Sequence, residues 1–328
     1  MAIRTICMGL GGRGRGWVRD VMRSEVVEFA GMVDPDAERM AKAAEDLDVP
    51  PEEQFSGLDD ACDKAKPQAA VIVTPNVLHD EHIDACLDRG LHVLAEKPFV
   101  MKRDNGEAII EKARRKGLVA MAVQNYRYSG PIGEMRRMVQ EDELGEPTSC
   151  LVHFSRMRPI RGMPYALLYN QGIHHLDSMR YIFGDARTVY ARSWNPNYHD
   201  CDAHTSCEAI FEMVNGVVIN YSANYSTHGP NQPYGGVWRV ECARGTIHLS
   251  PTEKEGELWV SREKSELEPV RFAAPAVGAN GQLLVDLARA VHEGITPPTH
   301  AKDNLKSLAM IWAIVESSQT NRVVNVRA

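Results

Sequence analysis

The sequence predicts an α/β fold in which a doubly wound parallel sheet is followed by an α+β domain with a large, mostly antiparallel open sheet. Over the first 124 residues, short apolar runs alternate with stretches of helical periodicity, the pattern of strand–helix–strand units. Beyond residue 124 the strand-like runs become longer and follow one another through short turns such as Asn215-Gly216, which is typical of antiparallel pairing.

The first domain is predicted over residues 1–124. Its strands are expected at 3–10, 26–33, 69–73, 91–95 and 119–123, and its helices at 17–24, 36–47, 76–89 and 103–116. Gly90 and Gly117 stand just after two of these helices, where glycine commonly ends a helix. Because ligands bind such sheets beyond the carboxyl ends of the strands, polar motifs at those ends are candidates for a site.

The second domain is predicted over residues 125–298. Its helices are expected at 132–139, 166–183 and 281–292, and its strands at 148–154, 188–193, 207–214, 216–225, 237–241, 246–249 and 257–260. A last segment, 299–328, contains a helix at 301–318 and a strand at 323–326, and we expect it to pack back on the first domain.

Composition excludes several classes of protein. The 328 residues carry a net charge of −7, which disfavours a nucleic-acid partner because phosphate groups attract basic surfaces. No apolar run reaches the roughly 18 residues that a membrane span needs, and the N-terminus has no signal-peptide pattern. The seven cysteines are scattered and include no CxxC pair, which favours reduced thiols and a cytoplasmic location.

One short run has the residue types of a zinc site: His199, Cys201, His204 and Cys207. It leads directly into a predicted strand, where successive side chains turn to opposite faces. Short Cys/His runs also match metal patterns by chance. We therefore expect no metal site.

A G-x-G-x-x-G pattern closes the first predicted strand and opens a helix. Its glycines permit a tight turn, a close approach of the backbone to a pyrophosphate, and close packing of helix on strand. Asp34 ends the second strand 20 residues after Gly14, where a carboxylate can accept the ribose hydroxyls of NAD and repel the extra phosphate of NADP. Arg13 can reach an anionic group, so NADP remains the alternative to NAD. The residues assigned to the cofactor here are Gly9, Gly11, Gly12, Arg13, Gly14 and Asp34.

A second polar turn, Thr74-Pro75-Asn76, follows the strand at 69–73, with His79 one helical turn further on. Such a turn can line the ribose and pyrophosphate of the cofactor. The same residues also suit an ordinary helix start, with Thr74 or Asn76 as the cap. The two interpretations are compatible.

Three further motifs follow in the chain: Glu96-Lys97-Pro98, Gln124-Asn125-Tyr126-Arg127 and Gly172-Ile173-His174-His175-Leu176-Asp177. With the two turns above, they occur in the order found in the glucose–fructose oxidoreductase / inositol dehydrogenase (Gfo/Idh/MocA) family, which the chain resembles over nearly its whole length. The resemblance implies a Rossmann domain, a bound nicotinamide cofactor, and a C-terminal domain whose open sheet often forms oligomer contacts. We therefore expect a homo-oligomer, a dimer or tetramer, formed through that sheet.

By this resemblance, Lys97 is the active-site lysine and His174 the acid/base, while Glu96, Gln124 and Arg127 lie near the cofactor. Oxidation of an alcohol by hydride transfer leaves a protonated carbonyl unless a base removes the hydroxyl proton. Histidine, with a reference pKa of about 6.5, suits that task, and an ammonium group can stabilise charge on the reacting oxygen. Burial would lower the pKa of the lysine and make it the proton acceptor instead, so both assignments stay open.

The helix predicted at 166–183 carries Asn170, His174, Asp177 and Tyr181 at the spacing of one helical stripe. A catalytic interpretation has this stripe facing the nicotinamide, with Asp177 holding substrate or orienting His174. The alternative is an ordinary solvated face. Many dehydrogenases of this family have Asp in place of Asn170, and an amide cannot take a proton, although it can bind a hydroxyl. The residues assigned to catalysis are Lys97, His174, Asn170 and Asp177.

Other polar side chains can hydrogen-bond the hydroxyls or a carboxylate of a substrate, although each also suits the surface of a sheet or loop. Arg158 accompanies Arg156 after the strand at 148–154. The residues assigned to the substrate are Lys97, Arg127, His153, Arg156, Tyr165, Asn170, His174 and Tyr234.

Together these observations predict an NAD(H)-dependent oxidoreductase that transfers a hydride between nicotinamide and a carbinol of a sugar, sugar derivative or cyclitol. Two alternatives stay open. A redox-neutral enzyme would retain its NAD, oxidise a glycoside transiently, eliminate the aglycone and reduce the ring again. A non-catalytic sensor of NAD(H) or sugar would bind NADH and turn over nothing.

Overall fold

The computed structural model describes residues 2–158, 160, 162–196, 204–250, 252, 256–273 and 275–327. The chain forms two compact units, one of residues 1–125 and 277–305 and the other of residues 126–276 and 306–328. Residues 306–328 thus belong to the second unit, whereas the sequence led us to expect the segment 299–328 on the first domain. In the described part of the chain, none of the helices has both the length and the hydrophobicity that a membrane span requires.

The first unit contains the six-stranded parallel sheet that the sequence predicts. Its strands are β1 (Ile3–Met8), β2 (Val27–Val33), β3 (Gln54–Phe55), β4 (Ala69–Ile72), β5 (His92–Ala95) and β6 (Ala120–Ala122), in the spatial order β3-β2-β1-β4-β5-β6. Every neighbouring pair is parallel. The order changes direction between β1 and β4, the position where such sheets bind ligands.

Five helices connect these strands: α1 (Gly14–Met22), α2 (Ala37–Leu47), α3 (Leu58–Ala65), α4 (His79–Asp88) and α5 (Arg103–Lys116). Neither β3 nor α3 was predicted from the sequence. A two-residue strand shows no periodicity, and α3 buries only Ala61 and Ala65, whose small side chains give a weak apolar pattern.

The second unit contains a nine-stranded sheet, mostly antiparallel as predicted. Its strands are β7 (Pro147–Ser155), β8 (Ala186–Trp194), β9 (Ser206–Met213), β10 (Val218–Asn224), β11 (Val237–Cys242), β12 (Gly245–Leu249), β13 (Leu258–Arg262), β14 (Glu268–Pro269) and β15 (Val324–Asn325), in the order β14-β13-β12-β11-β7-β10-β9-β8-β15. Among these strands, β7 and β10 form the parallel pair, so their carboxyl ends lie at the same edge.

Four helices complete the fold: α6 (Gly130–Gln140), α7 (Ile173–Phe183), α8 (Gly278–Glu293) and α9 (Ala301–Thr320). The sequence predicts one helix over 166–183, but the structure has a π-helical turn at Leu168–Gly172 before α7. Such turns close hydrogen bonds from residue i to i+5, and they shift the side chains that follow.

The large sheet has a buried face and an exposed face. Along β7, Cys150, Val152 and Phe154 are buried, whereas Leu151 is 52% exposed. The strand registers align Leu151 with Asn220, Ile210 and Tyr190 across four neighbouring strands, and all four side chains are exposed. The outer face therefore carries a continuous, partly apolar row.

Candidate active site

The glycine-rich turn joins β1 to α1. Gly9 has a φ of 93°, and a Cβ added at Gly14 would lie 1.8 Å from the carbonyl oxygen of Gly9, so both positions require glycine. A Cβ added at Gly11 or Gly12 would meet nothing within 4 Å. The start of α1 has no side-chain cap, and the N–H of Gly14 donates to the carbonyl oxygen of Gly11, so the N–H groups that follow Gly14 in the first turn can bind an anion. This geometry fits the pyrophosphate role that the sequence predicts.

Asp34 follows β2 and is buried. Its Oδ2 accepts a hydrogen bond from the N–H of Leu10 at 2.8 Å, and its Oδ1 accepts one from the N–H of Asp36 at 2.9 Å. Nη1 of Arg39 lies 3.8 Å from Oδ2, a neighbour that the sequence analysis did not identify. Because each carboxylate oxygen keeps a second lone pair, Asp34 can still accept the predicted ribose hydroxyls.

Glu96 follows β5 and is also buried. Its Oε1 accepts a hydrogen bond from Nε1 of Trp17 at 3.0 Å, and its Oε2 accepts one from the N–H of Lys97 at 3.2 Å. Nε of the exposed Arg13 side chain lies 3.6 Å from Oε1. Glu96 therefore connects α1 to the segment that carries Lys97. The sequence predicted a place near the cofactor but not the indole partner, which is 79 residues away along the chain.

His79 was expected to contact the cofactor, but the structure gives both of its ring nitrogens to the main chain. Nδ1 lies 2.7 Å from the carbonyl oxygen of Pro98, and Nε2 lies 2.9 Å from that of Thr74. The side chain is fully buried. His79 thus holds together two turns at the ligand-bearing edge of the sheet, the Thr74-Pro75-Asn76 turn and the turn that follows Lys97.

Gln124 lies just beyond β6 and is 1% exposed. Among the residues that the structure describes, neither its side-chain oxygen nor its nitrogen has a hydrogen-bond partner. Buried amides in proteins are nearly always paired, so this side chain has hydrogen-bonding capacity left for a bound group or water. The geometry is compatible with the cofactor contact that the sequence predicts.

His174 is the second residue of α7 and is 4% exposed. The ring of Tyr126 stacks on its imidazole, with 4.2 Å between the ring centroids and 12° between the planes. The hydroxyl of Tyr126 accepts a hydrogen bond from Nε2 of Gln171 at 3.0 Å. The imidazole is therefore held in one orientation by residues on the segments just before α6 and α7. The motif at 124–127 contains Tyr126, but its sequence pattern does not indicate this stacking role.

Asp177 was expected to hold substrate or orient His174, but its carboxylate is engaged by two other side chains. Arg127 donates from Nε to Oδ2 at 2.6 Å and from Nη2 to Oδ1 at 2.7 Å, and Ser307 donates to Oδ1 at 2.6 Å. The side chains of Arg127 and Asp177 are 5% and 1% exposed. This bidentate ion pair anchors the segment that carries Tyr126, and it gives Arg127 a partner other than the predicted cofactor or substrate.

The polar stripe of the predicted helix is not a solvated face. Every residue of α7 except Tyr181 is buried, including His174 and Asp177. The apolar side chains of the helix, Leu176, Met179, Ile182 and Phe183, are buried as well. Asn170 is half-buried and lies in the π-helical turn, so it does not keep the regular α-helical spacing to His174 that the stripe assumed.

His175, beside the predicted acid/base, is fully buried. Nε2 donates to the carbonyl oxygen of Tyr234 at 2.9 Å, and Nδ1 accepts from the hydroxyl of Tyr221 at 3.2 Å, an arrangement that one neutral tautomer satisfies. Burial lowers the pKa of His175 to about 4, and the carbonyl of Tyr234 offsets this only in part. His175 is therefore a neutral structural histidine at physiological pH.

The low pKa of His175 should make the fold less stable in mild acid. In the unfolded chain this histidine is protonated near pH 6.5, whereas in the folded chain it is protonated only near pH 4. The free energy of unfolding therefore keeps its full value above pH 6.5 and decreases as the pH falls towards 4. We expect this histidine to contribute about 2–3 kcal/mol to that loss. Urea unfolding of wild type and His175→Gln at pH 7 and pH 4.5 measures it, with His292→Gln as the exposed control. Equal pH dependence in wild type and His175→Gln would contradict the assignment.

The predicted substrate residues are not all brought together. Phe154 of β7 packs against His175, so its neighbour His153 points to the opposite, exposed face of the strand, where it meets the amide of Gln232. Tyr165 has a φ of 57°, and its hydroxyl accepts from Gln319. The substrate role of these two residues remains a prediction without support from their neighbours.

Tyr234, by contrast, lies near the predicted acid/base. Its carbonyl oxygen accepts from Nε2 of Gln171 at 2.7 Å, and its ring lies 4.0 Å beneath the guanidinium carbon of Arg156. Gln171 is thus bonded both to this loop and to Tyr126. Sequence reasoning missed Gln171, because nothing in its local pattern indicates a partner 63 residues away.

Among the described residues, no group of three or more His, Cys, Asp or Glu side chains is placed to hold a metal ion. His199 and Cys201 lie outside them. The ring of His204 packs against that of Tyr165, with 4.4 Å between centroids. Cys207 is buried in β9, where burial raises the pKa of its thiol.

The fold and the turn geometry define a class: a nucleotide-binding doubly wound domain joined to a mixed domain with an open sheet. Comparison with protein families agrees. Residues 3–124 match the oxidoreductase family with the NAD-binding Rossmann fold, and residues 132–248 match the GFO/IDH/MocA C-terminal domain. The chain belongs to the Gfo/Idh/MocA oxidoreductase family, and its first domain is an NAD-binding Rossmann domain.

Named relatives span nearly the same length as this chain. It is 25% identical to D-xylose 1-dehydrogenase (NADP(+)) 2 of Haloferax volcanii, over 97% of this chain and 98% of that protein. It is 23% identical to scyllo-inositol 2-dehydrogenase (NADP(+)) IolW of Bacillus subtilis, over 84% of each. An oxidoreductase of Agrobacterium radiobacter, solved with NAD+, L-tartaric acid and magnesium, has a TM-score of 0.88 and 18% identity over 99% of both chains, and it shares the fold.

Proposed function

We propose that the protein is an NAD-dependent oxidoreductase that transfers a hydride between nicotinamide and a carbinol of a sugar, sugar derivative or cyclitol. One observation carries the proposal: the predicted cofactor residues follow β1, β2, β4 and β5 at the carboxyl edge of one parallel sheet. They are the glycine turn at 9–14, Asp34, the turn at 74–76 and the Glu96-Lys97 pair. The sugar and cyclitol dehydrogenases among the relatives support this substrate class.

The proton released from the hydroxyl needs an acceptor, and bound NAD supplies only the hydride acceptor. His174 is the candidate base in the second unit, oriented by its stacking on Tyr126. Lys97 is the candidate in the first unit, on a segment fixed by Glu96. As an ammonium it would stabilise charge on the reacting oxygen, and as an amine it would take the proton.

NAD is the proposed cofactor rather than NADP. The buried carboxylate of Asp34 is held by two backbone N–H groups at the end of β2, where it would repel a 2′-phosphate. Two features favour the alternative: the nearby Arg39 is a potential phosphate ligand, and both named dehydrogenases carry NADP(+) in their names.

A panel of aldoses, alditols and cyclitols, together with their carboxylate and phosphate derivatives, tests the proposal directly. Each compound is mixed with the enzyme and either NAD+ or NADP+, and reduced cofactor is followed by its absorbance. We expect turnover of at least one compound. Its kcat/KM should be at least about tenfold higher with NAD+ than with NADP+, because the repulsion between Asp34 and the 2′-phosphate should cost about 1.4 kcal/mol or more, which corresponds to a factor of ten. NADH binding without turnover of any compound would instead indicate a sensor.

We also propose that copies of the chain associate through the outer face of the large sheet. The aligned row that contains Leu151, Ile210 and Tyr190 is exposed and partly apolar. Contiguous apolar surface of this kind commonly marks an interface. Sedimentation of the purified protein measures its mass, and a monomer at micromolar concentration would contradict the proposal.

A further inference from the structure

Two arginines lie just beyond the carboxyl end of β7 without an acidic partner. Arg156 and Arg158 are both half-buried, and no carboxylate of the described residues lies within ion-pair distance of either. The fully buried arginines of this unit differ, because Arg127 is paired with Asp177 and Arg180 with Asp185. The half-buried Arg136 is closer to Arg156 in its contacts, since it donates to the carbonyl oxygen of Tyr181 and lies over that ring, but it stands alone rather than beside a second such arginine. Half-buried guanidinium groups are costly without a counter-charge, so an uncompensated pair in an acidic protein suggests an anionic ligand.

The first arginine is held in a defined position by groups that leave its charge intact. Nη1 of Arg156 donates to the carbonyl oxygen of Gln232 at 2.6 Å, and its guanidinium carbon lies 4.0 Å from the centre of the Tyr234 ring. A guanidinium has five N–H donors, so most of them remain available. This is a preorganised cation rather than a mobile surface side chain.

The second arginine lies on the same side of the extended segment, two residues further on. Its backbone N–H donates to the carbonyl oxygen of Tyr225, and its guanidinium carbon lies 5.8 Å from the centre of that ring. Tyr225 is fully buried, and burial raises the pKa of its hydroxyl to about 12 although Arg158 opposes the shift. The hydroxyl therefore remains protonated, a neutral neighbour that adds no counter-charge to the arginines.

Arg156 is connected to the predicted acid/base by a chain of contacts. The imidazole of His174 stacks on Tyr126, whose hydroxyl is bonded to Gln171. Gln171 in turn donates to the carbonyl oxygen of Tyr234, the residue whose ring lies against Arg156. All of these contacts lie within the second unit, so Arg156 and the imidazole are fixed relative to one another.

We propose that Arg156 and Arg158 bind a negatively charged group of the substrate, so that the enzyme acts on a polyol bearing a carboxylate or phosphate rather than on a neutral sugar. The inference rests on the proposed function and narrows its substrate class. Guanidinium groups bind both kinds of anion through paired N–H donors, so the distinction between carboxylate and phosphate is left to experiment.

The experiment compares matched compounds on matched variants. D-Gluconate and D-glucitol differ in a carboxylate, and glucose 6-phosphate and glucose differ in a phosphate. Each is tested for NAD+-dependent turnover and, with the NAD+-loaded protein, for binding by calorimetry. The variants are Arg156→Gln and Arg158→Gln, and Arg271→Gln is the control that removes the same charge from an exposed position in the same unit.

For wild type we expect a lower KM or Kd for at least one charged compound than for its neutral counterpart. Arg156→Gln and Arg158→Gln should each raise that constant about 10- to 100-fold, the usual effect of losing a charge-assisted hydrogen bond, and should raise the constant of the neutral counterpart by a clearly smaller factor. Arg271→Gln should behave as wild type. The pair of compounds that shows the effect identifies the anion.

Two results would overturn the inference. If neutral compounds are oxidised as well as their charged counterparts, and both arginine variants keep that ratio, the proposed function stands and the anion site does not. If calorimetry detects no binding of either charged compound, or equal binding by wild type and Arg156→Gln, the site is also refuted. Binding that depends on the arginines without any turnover supports the anion site and instead contradicts the proposed function.

Discussion

Replacing Lys97 by Met should lower kcat by about 10²- to 10⁴-fold while NAD+ still binds. The substitution keeps the length of the side chain but removes the ammonium group, which either stabilises charge on the reacting oxygen or takes up the proton, and each role is typically worth this much. The backbone N–H of residue 97, which donates to Glu96, is unchanged. Steady-state kinetics with the best compound of the panel and calorimetry with NAD+ measure the two effects separately.

Lys102→Met is the matched control, since Lys102 is an exposed lysine five residues further along the same connection between β5 and α5. It should retain the activity of the wild type. The pH profile separates the two roles of Lys97. If the residual activity of Lys97→Met still increases with pH over the range in which a histidine loses its proton, the proton transfer is assigned to His174. Full activity of Lys97→Met would refute the catalytic assignment itself.

Local patterns predicted the features of the site that depend on nearby residues. The glycine turn is required by steric contacts between residues five apart, and an added Cβ at Gly14 would collide with Gly9. Asp34 was identified because a buried strand ends just before it. In both cases the constraint lies within one strand–turn–helix unit, so the sequence alone carries it.

The partners of the buried polar groups could not be predicted in the same way. Asp177 is paired with Arg127, 50 residues away, and with Ser307, 130 residues away. His79 bonds the carbonyl oxygen of Pro98, a main-chain atom that no side-chain pattern identifies. Periodicity shows that a polar residue lies on a helix, but the three-dimensional packing decides whether it meets a ligand or another side chain.

The π-helical turn at Leu168–Gly172 shows a third kind of limit. The apolar pattern of 166–183 predicts the existence of a helix correctly, but it does not distinguish hydrogen bonds to i+4 from those to i+5. The change of spacing falls between Asn170 and His174. The position of Asn170 relative to His174 is therefore set by a local irregularity that hydrophobic periodicity does not encode.

Removing the charge of Asp177 should destabilise the second unit by about 3–5 kcal/mol, because Asp177→Asn leaves the buried guanidinium of Arg127 without a counter-charge. Urea unfolding measures the change. Four of the five tryptophans lie in this unit: Trp194, Trp238, Trp259 and Trp312. Tryptophan fluorescence therefore reports mainly on its unfolding.

Glu212→Gln is the control, because it breaks the exposed pair with Arg187 and should cost no more than about 1 kcal/mol. The double variant Arg127→Met/Asp177→Leu separates the pair from its surroundings. Because the double variant lacks both the guanidinium and the carboxylate, no buried charge is left unpaired, and it should be more stable than Asp177→Asn alone. A loss below about 1 kcal/mol in Asp177→Asn would mean that the ion pair does not anchor the segment bearing Tyr126. The orientation of His174 would then have to come from its stacking contact and from Gln171 alone.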